Sequence, residues 1–293
     1  MDKEVLKPYG SLDVLYFYSK VARANEKFLR GKELATKTLL PRGKPFFIKR
    51  GTIGRPLYIH NLRHVDKKML QLRAEHGLEE VKNQLNYIQT HIWYYFIPRK
   101  LIHFFYACNH EGIGRAIDRV FIDIDRSNLS PEDARKVALS LVKNIKKDEK
   151  FNKMLGYKTL ILWTGSSFHV YLLLKNKIRF NFYAQYLSYG EEKKDSFLMK
   201  WAKQVTSDTK ISVQAGHEKK PNMIIIDSSG TPSGKLARVP FSLHMKSVDE
   251  VDGVCVPVSQ KELEDKGLVK RLQKLTPELV LKNLKKYENL LNS

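Results

Sequence analysis

The segment Val120–Asp125, which reads Val-Phe-Ile-Asp-Ile-Asp, constrains the fold of this chain more than any other. Side chains alternate between the two faces of a strand, so its valine and isoleucines are predicted to face a core. Asp123 and Asp125 then point together to the opposite face, about 7 Å apart along the strand. Two like charges this close are unfavourable unless a cation lies between them. The pattern predicts a core strand that carries a site for Mg²⁺ or Mn²⁺.

The chain of 293 residues has a net charge of +21, and much of the positive charge is concentrated in one segment. Residues 20–73 contain fifteen lysines and arginines but only three acidic residues. This asymmetry favours a polyanionic partner, the alternative being a solvated basic surface. Two cysteines are too few for a zinc site built on thiolates. With no signal peptide and no long apolar run, we expect a cytoplasmic protein without a membrane partner.

Residues 11–30 and 78–97 are predicted to form helices, the first capped by Ser11 and the second ending before Pro98. Between them, residues 36–60 are predicted to form strands joined by turns that contain glycine and proline.

The central part of the chain shows a strand–helix–strand–strand order. A strand at 118–125 precedes a helix that Ser130 caps, and strands at 159–163 and 169–174 follow. This order predicts an α+β fold with a mixed sheet and helices on one side. The other predicted elements are a helix at about 181–205, strands at 222–227, 236–241 and 252–257, and two closing helices that begin after Ser259 and Thr276.

Three strand-end features are candidates for a common site. They are the pair Asp123 and Asp125, the small polar turn from Thr164 to His169, and Asp227 at the end of an apolar run. Taken alone, His169 is equally consistent with a structural histidine, and Asp227 with an ordinary turn residue. Together, three carboxylates can hold two divalent ions, and the turn can present backbone N–H groups to a phosphate.

At these residues the sequence resembles the archaeo-eukaryotic primase superfamily. It is most similar to the polymerase domain of bacterial DNA ligase D and its stand-alone archaeal relatives in end joining. The resemblance covers about residues 11–258. It is carried by short motifs in a fairly specific order: Asp13–Ala22 with Phe28–Lys32, Phe46–Lys49, Ile122–Asp125, Thr164–His169, Asp227 and Arg238–His244.

The resemblance implies a primase-like catalytic core, in which an RRM-like mixed-sheet palm packs against an N-terminal α/β module. It implies three metal-binding catalytic residues, Asp123, Asp125 and Asp227, which would hold two Mg²⁺ or Mn²⁺ ions. The residues implied to bind the incoming nucleotide are Ser167, His169, Arg238 and His244. Those implied to bind DNA are Phe46 or Phe47, Lys49, Lys20, Lys27 and Lys32.

The domains expected on this basis are a basic module at 1–112 that binds the DNA end and template, a palm at 113–258, and closing helices at 259–293. The expected function is template-directed polymerisation onto DNA 3′ ends in end joining or gap-filling repair. Partners would be DNA, nucleoside triphosphates, and a DNA ligase or end-binding protein. The alternatives are a primase small subunit, a catalytically silent nucleic-acid binding module and, less favoured, a metal-dependent nuclease.

Overall fold

The computed structural model describes residues 13–38, 46–48, 54–97, 102–108, 114–190, 192–193, 196–247 and 250–292. Within them the strands are β1 (Glu33–Thr38), β2 (Phe46–Ile48), β3 (Leu57–Tyr58), β4 (Ile102–Cys108), β5 (Ile117–Asp125), β6 (Tyr157–Trp163), β7 (Phe168–Ile178), β8 (Val213–Ala215), β9 (Ile224–Asp227), β10 (Leu236–Arg238), β11 (Leu243–Ser247), β12 (Glu250–Val254) and β13 (Val256–Val258).

The helices in the same residues vary from one turn to nearly five. They are α1 (Val14–Asn25), α2 (Lys67–Glu75), α3 (Leu78–Val81), α4 (Tyr87–Tyr95), α5 (Pro131–Lys147), α6 (Glu149–Met154), α7 (Phe197–Thr209), α8 (Gln260–Leu263), α9 (Leu268–Leu272), α10 (Pro277–Lys282) and α11 (Leu284–Asn292). Across the described ranges, no helix has the length and apolar character that crossing a membrane requires.

The chain divides into two compact units that are interleaved in sequence. The first unit comprises Met1–Cys108, Arg238–Cys255 and Leu275–Ser293, and the second comprises Asn109–Ala237 and Val256–Lys274. The division expected from sequence, at residues 112 and 258, instead treats each module as one continuous segment.

The second unit is built on a mixed sheet of strand order β13-β6-β7-β5-β9-β8. Neighbouring strands are antiparallel except for β8 and β9, which are parallel. The helix that Ser130 caps lies between β5 and β6 in sequence, and β7 lies between those two strands in space. The mixed α+β architecture predicted from the strand–helix–strand–strand order is confirmed.

Helices cover one face of this sheet. Helix α5 contacts β5, β7 and α7, and α7 contacts β8. The buried stripe of α5 includes Val137, Leu141 and Ile145, at the spacing expected of a helix with one apolar face. On the sheet, Ile122 and Ile124 are fully buried, as the alternation of β5 predicts.

The first unit has a smaller antiparallel sheet with β1 at its centre. Strand β4 pairs with one edge of β1, while β2 and β3 pair with successive parts of the other edge. Strands β11 and β12 form a separate antiparallel pair. Helix α1 packs against α10 and α11, which brings the C-terminal helices into this unit.

Two of the predicted helices are wrong in extent. Helix α1 ends at Asn25 rather than near residue 30, and its N-cap is Asp13, whose carboxylate accepts from the Leu15 amide at 2.8 Å. Ser11, the predicted cap, lies outside the described residues. The predicted helix at 78–97 is two short helices, because Asn86 and Gln89 form a capping box that starts α4 afresh.

The predicted helix at 181–205 is also wrong. A single π-helical turn spans Tyr183–Leu187, and α7 starts only at Phe197. Gly190 lies between them with φ of 140°, a backbone conformation that residues with a side chain rarely adopt. A continuous helix through this glycine is therefore excluded.

Candidate functional site

The catalytic candidates of the second unit form a row across three adjacent strands. Asp123 on β5 is the register partner of His169 on β7 and of Asp227 on β9. Register partners in antiparallel strands point to the same face, so the three side chains are neighbours on the face of the sheet opposite to Ile122 and Ile124. Asp125 lies two residues further along β5, on the same face.

Asp123 is bound to His169. The Nε2 atom of His169 lies 3.0 Å from Asp123 Oδ1, and the imidazole is 8% exposed whereas the carboxylate is 40% exposed. Since an ionised carboxylate only accepts hydrogen bonds, Nε2 carries the proton of this contact. The other ring nitrogen, Nδ1, is buried and has no hydrogen-bond partner in the described part of the chain. A ligand atom could supply that partner.

The segment after Asp227 fixes Phe121, which in turn packs against the ring of His169. Phe121 packs edge-on against His169, with ring centroids 5.0 Å apart. The backbone N–H and C=O of Phe121 both bond to the Thr231 hydroxyl, at 3.0 and 3.1 Å. A Cβ atom at Gly230 would lie 2.5 Å from the Phe121 ring, so this close approach requires glycine.

Asp125 is held by the backbone and by a lysine. Its Oδ1 accepts from the Ser127 amide at 3.0 Å, and its Oδ2 lies 3.0 Å from the Lys219 ammonium. The Lys219 side chain is 71% exposed. A pair this exposed contributes little to stability and is readily exchanged.

Asp227 accepts three hydrogen bonds from nearby residues. It accepts from the Ser229 amide at 2.7 Å, from the Ser229 hydroxyl at 2.8 Å and from the Tyr189 hydroxyl at 3.2 Å. The Tyr189 oxygen also lies 3.1 Å from His217 Nδ1. Burial raises the pKa of Tyr189, and the charge of Asp227 raises it further. The phenol is therefore neutral near pH 7 and donates to Asp227.

The turn between β6 and β7 is fixed by its own polar groups. The Thr164 amide donates to the Ser167 carbonyl at 2.9 Å, and the Ser167 amide to the Thr164 hydroxyl at 3.1 Å. The Ser167 hydroxyl donates to the Ile124 carbonyl of β5. Arg126 donates to the Ser166 carbonyl at 2.9 Å, which places a guanidinium against this turn. These bonds tie the turn to the end of the strand that carries the aspartates.

The three carboxylates lie on one face of the sheet, and carboxylate oxygens are suitable ligands for divalent ions such as Mg²⁺. Among the residues described, however, no group of three or more His, Cys, Asp and Glu side chains is arranged to hold a metal. Each carboxylate instead holds a protein donor: His169, Lys219 or Tyr189. Metal binding at Asp125 would compete with the Lys219 ammonium, whereas the hydrogen bonds from His169 and Tyr189 leave other lone pairs of Asp123 and Asp227 for a metal.

The structure thus brings five of the predicted site residues together in the second unit: Asp123, Asp125, Asp227, Ser167 and His169. The other predictions fall in the first unit. Arg238 is half-buried on β10 and His244 half-buried on β11. Burial lowers the pKa of Lys37, and the charge of Arg238 lowers it further, so these two cations lie near each other.

The predicted DNA-binding residues differ in exposure. Lys20 is exposed in the middle of α1 and Lys27 is exposed just beyond its end; the Lys20 ammonium lies 5.1 Å from the Tyr16 ring centroid. Lys32 is buried, with 8% exposure. Phe46 and Phe47 are in β2, but their side chains, like the whole of Lys49, lie outside the described residues.

Four residues of this site were not found from sequence: Arg126, Tyr189, His217 and Lys219. Arg126 directly follows the paired aspartates, and Lys219 stands in the polar run His-Glu-Lys-Lys eight residues before Asp227. Their closeness in sequence to the aspartates could have identified Arg126 and Lys219 as candidates. Tyr189 carried no such signal, because it reaches Asp227 only through the fold.

No protein-family model and no curated protein matches the sequence. Among solved structures, the chain is similar to the polymerase domain of Mycobacterium tuberculosis ligase D in complex with DNA. The TM-score is 0.60 and the identity 14%, and the match covers 95% of this chain and 90% of that one. The match shows that the chain has the fold of the ligase D polymerase domain, as the sequence resemblance predicted.

Proposed function

We propose that this chain is a template-directed nucleotidyltransferase of the primase-polymerase type. It would add nucleotides to DNA 3′ ends in end joining or gap-filling repair. The observation that carries the proposal is the row His169–Asp123–Asp227, with Asp125 beside it, on one face of the sheet. Support comes from the shared fold, since the similar structure is a polymerase domain solved with DNA.

In this proposal Asp123, Asp125 and Asp227 hold two Mg²⁺ or Mn²⁺ ions. When bound, such ions would neutralise charge at the attacking and leaving oxygens. The carboxylates are preorganised for this task, because Ser127 and Ser229 fix two of them through backbone amides. The third, Asp123, is oriented by His169.

His169 and the turn that contains Ser167 would receive the triphosphate. The His169 ring would lie against a phosphate oxygen while Nε2 keeps its bond to Asp123. This contact requires a local movement that uncovers the buried Nδ1 atom. The 3′ oxygen of the DNA strand loses its proton to water and bonds to the α-phosphorus. The bond from the α-phosphorus to the bridging oxygen breaks, and pyrophosphate leaves.

The first unit would hold the DNA. Lys20, Lys27 and Lys49 are proposed to bind phosphates, and Phe46 or Phe47 to stack on a template base. Lys32 is buried, so its proposed phosphate contact requires it to become exposed. Arg238 and His244 are proposed as further contacts to the nucleotide. A DNA ligase or an end-binding protein is proposed as a partner.

A silent nucleic-acid binding module is the second candidate. One observation favours it: all three carboxylates already have a hydrogen-bond or ion-pair donor from the protein. This candidate predicts DNA binding that is indifferent to Mg²⁺ or Mn²⁺.

The experiment is an assay of one 5′-labelled primer–template with Mg²⁺, Mn²⁺ or EDTA, and with ribo- or deoxyribonucleotides. A polymerase lengthens the primer only when both metal and nucleotide are present. A nuclease shortens it with metal alone, and a silent module binds it unchanged. A template-free single strand is the control, because a template-directed enzyme adds the complementary nucleotide only when a template is present. De novo products from unprimed template would identify a primase.

A further inference from the structure

A cavity of about 470 Å³ lies within the second unit and is lined in part by Tyr189. Its apolar wall includes Ala202 of α7, Ala215 of β8 and Ile225 of β9, and its polar wall includes Tyr189 and His217. This volume and this mixture of an apolar surface with a few polar groups are typical of small-molecule sites. The cavity is large enough for the sugar and base of one nucleotide.

One hydroxyl group connects this cavity to the candidate site. Tyr189 lines the cavity, and its hydroxyl also donates to Asp227 at 3.2 Å. His217 lies on the same wall, 3.1 Å from the Tyr189 oxygen. Asp227 itself does not line the cavity, so a group bound there would be linked to this carboxylate through Tyr189.

The strand order places the cavity and His169 on opposite sides of Asp123. Along the sheet the sequence of strands is β6-β7-β5-β9-β8, so the turn at Ser167 and His169 lie on one side of Asp123, and the cavity lies on the other. From β7 to β8 there are three strand spacings, or about 14 Å. His169 on β7 and the part of the cavity at β8 are thus far enough apart for different substrate groups.

In-line phosphoryl transfer places the attacking oxygen and the leaving group on opposite sides of the α-phosphorus. If the pyrophosphate leaves on the side of His169, as the proposed function has it, the attacking 3′ oxygen comes from the side of Asp227. The cavity is the recess on that side.

We propose that this cavity is the subsite for the 3′-terminal nucleotide of the acceptor strand. Tyr189 and His217 lie beside its sugar, and the apolar wall packs against its base. Lys220, which also lines the cavity, suits the phosphate that precedes that nucleotide. The inference rests on the proposed function and names the acceptor part of the same site.

The first test narrows the cavity. Ala215→Leu adds three carbons to its wall, and Ala184→Leu is the matched control, since Ala184 is an exposed alanine of the same unit outside the cavity. For Ala215→Leu the KM for the primer end should rise about tenfold with the KM for nucleotide unchanged. Extension by Ala215→Leu equal to that of the control would overturn the proposal. A rise in the nucleotide KM alone would also overturn it, since the incoming nucleoside would then occupy the cavity.

The second test needs neither turnover nor a variant. A primer–template with 5-iododeoxyuridine at the primer 3′ end is irradiated with the unaltered protein, and the cross-linked peptide is identified by mass spectrometry. Cross-links to residues that line the cavity support the subsite, and cross-links confined to residues outside the cavity overturn it. If these cross-links form but the protein extends no primer, the proposed reaction is wrong while the 3′-end subsite stands.

Discussion

His169 owes its position to three neighbouring elements. Strand register sets it opposite Asp123, the Phe121 ring packs against its edge, and Thr231 fixes the Phe121 backbone. The result is an imidazole with one nitrogen bound to a carboxylate and the other buried without a hydrogen-bond partner among the described residues. A buried polar atom of this kind is costly unless a ligand supplies the missing bond.

Replacing His169 with alanine is predicted to weaken nucleotide binding more than DNA binding. The apparent KM for nucleotide should rise about tenfold, because a charge-assisted bond to phosphate is lost. The affinity for primer–template, measured separately by fluorescence anisotropy, should stay within twofold of the starting value by the same reasoning. His76→Ala, at an exposed histidine of the first unit, is the control. Equal losses of both affinities, or an unfolded variant, would instead identify His169 as a structural histidine.

The aspartate at the start of α1 joins that helix to α2. Asp13 caps α1, and its carboxylate also accepts from Arg73 at 3.0 Å, with both side chains buried. The Arg73 guanidinium lies 5.5 Å from the Trp93 ring centroid of α4. One ion pair therefore orients three helices of the first unit.

Removing one partner of this buried pair is predicted to destabilise the protein strongly. Arg73→Met should lower the free energy of unfolding by about 3 kcal/mol or more, because the Asp13 charge is left buried. The matched control is Arg63→Met, which breaks an arginine–glutamate pair on the surface of the same unit and should change stability little. Urea denaturation followed by circular dichroism measures both variants. Equal shifts for the two would show that burial does not decide the strength of these pairs.

Helix α6 begins at an aspartate that also receives two side-chain donors from α7. The Asp148 carboxylate accepts from Lys200 and Trp201, both at 2.9 Å. Burial alone would raise the pKa of Asp148, but these donors and the Phe151 amide hold it below its ordinary value of 3.8. The stability that the group contributes is therefore fully present above pH 3.8 and is lost as the pH falls through the lower folded-state pKa.

Asp148→Asn should accordingly reduce stability at pH 7 and remove part of the acid dependence. The difference in Tm between the variant and the unaltered protein should be constant above about pH 4 and shrink as the pH falls further. Glu149→Gln, at the exposed neighbouring position, is the control and should leave the profile unchanged. A difference in Tm that is constant with pH would contradict the assigned role of Asp148.

Elements with local signals were predictable from sequence, and those set by tertiary contacts were not. Helix α5 begins where Ser130 and Pro131 predict it, because the cap and the proline act within one turn. By contrast, the break before α4 depends on a capping box at Asn86 that competes with a continuous apolar pattern. The paired aspartates of β5 were visible as a period-two pattern, whereas the contact of Tyr189 with Asp227 joins residues 38 apart in the chain.

At the scale of the whole molecule, each unit is assembled from separate segments of the chain. The first unit takes back Arg238–Cys255 and Leu275–Ser293 after the second has begun. Such non-local assembly leaves no compositional boundary in the sequence, so a division by segments could not anticipate it. The fold class was predictable because the strand–helix–strand–strand order lies within one continuous segment, residues 117–178.

The positive charge of the first unit is predicted to bind the DNA backbone. Lys20→Ala and Lys27→Ala should each reduce the slope of log affinity against log salt by about one, because each lysine releases one counterion on binding phosphate. Lys153→Ala removes the same charge from an exposed site in the second unit and should leave the slope unchanged. Equal slopes for all three variants would place the DNA path elsewhere.

The central claim is that the three aspartates on one face of the sheet catalyse nucleotide addition. Its most direct test is single-nucleotide incorporation by Asp125→Asn, measured beside Glu264→Gln, which alters an exposed carboxylate on α8's C-terminal side. The account predicts a folded Asp125→Asn protein that binds primer–template but whose incorporation rate falls at least about a thousandfold, with Glu264→Gln unchanged. Incorporation by folded Asp125→Asn at the rate of the control would contradict the account.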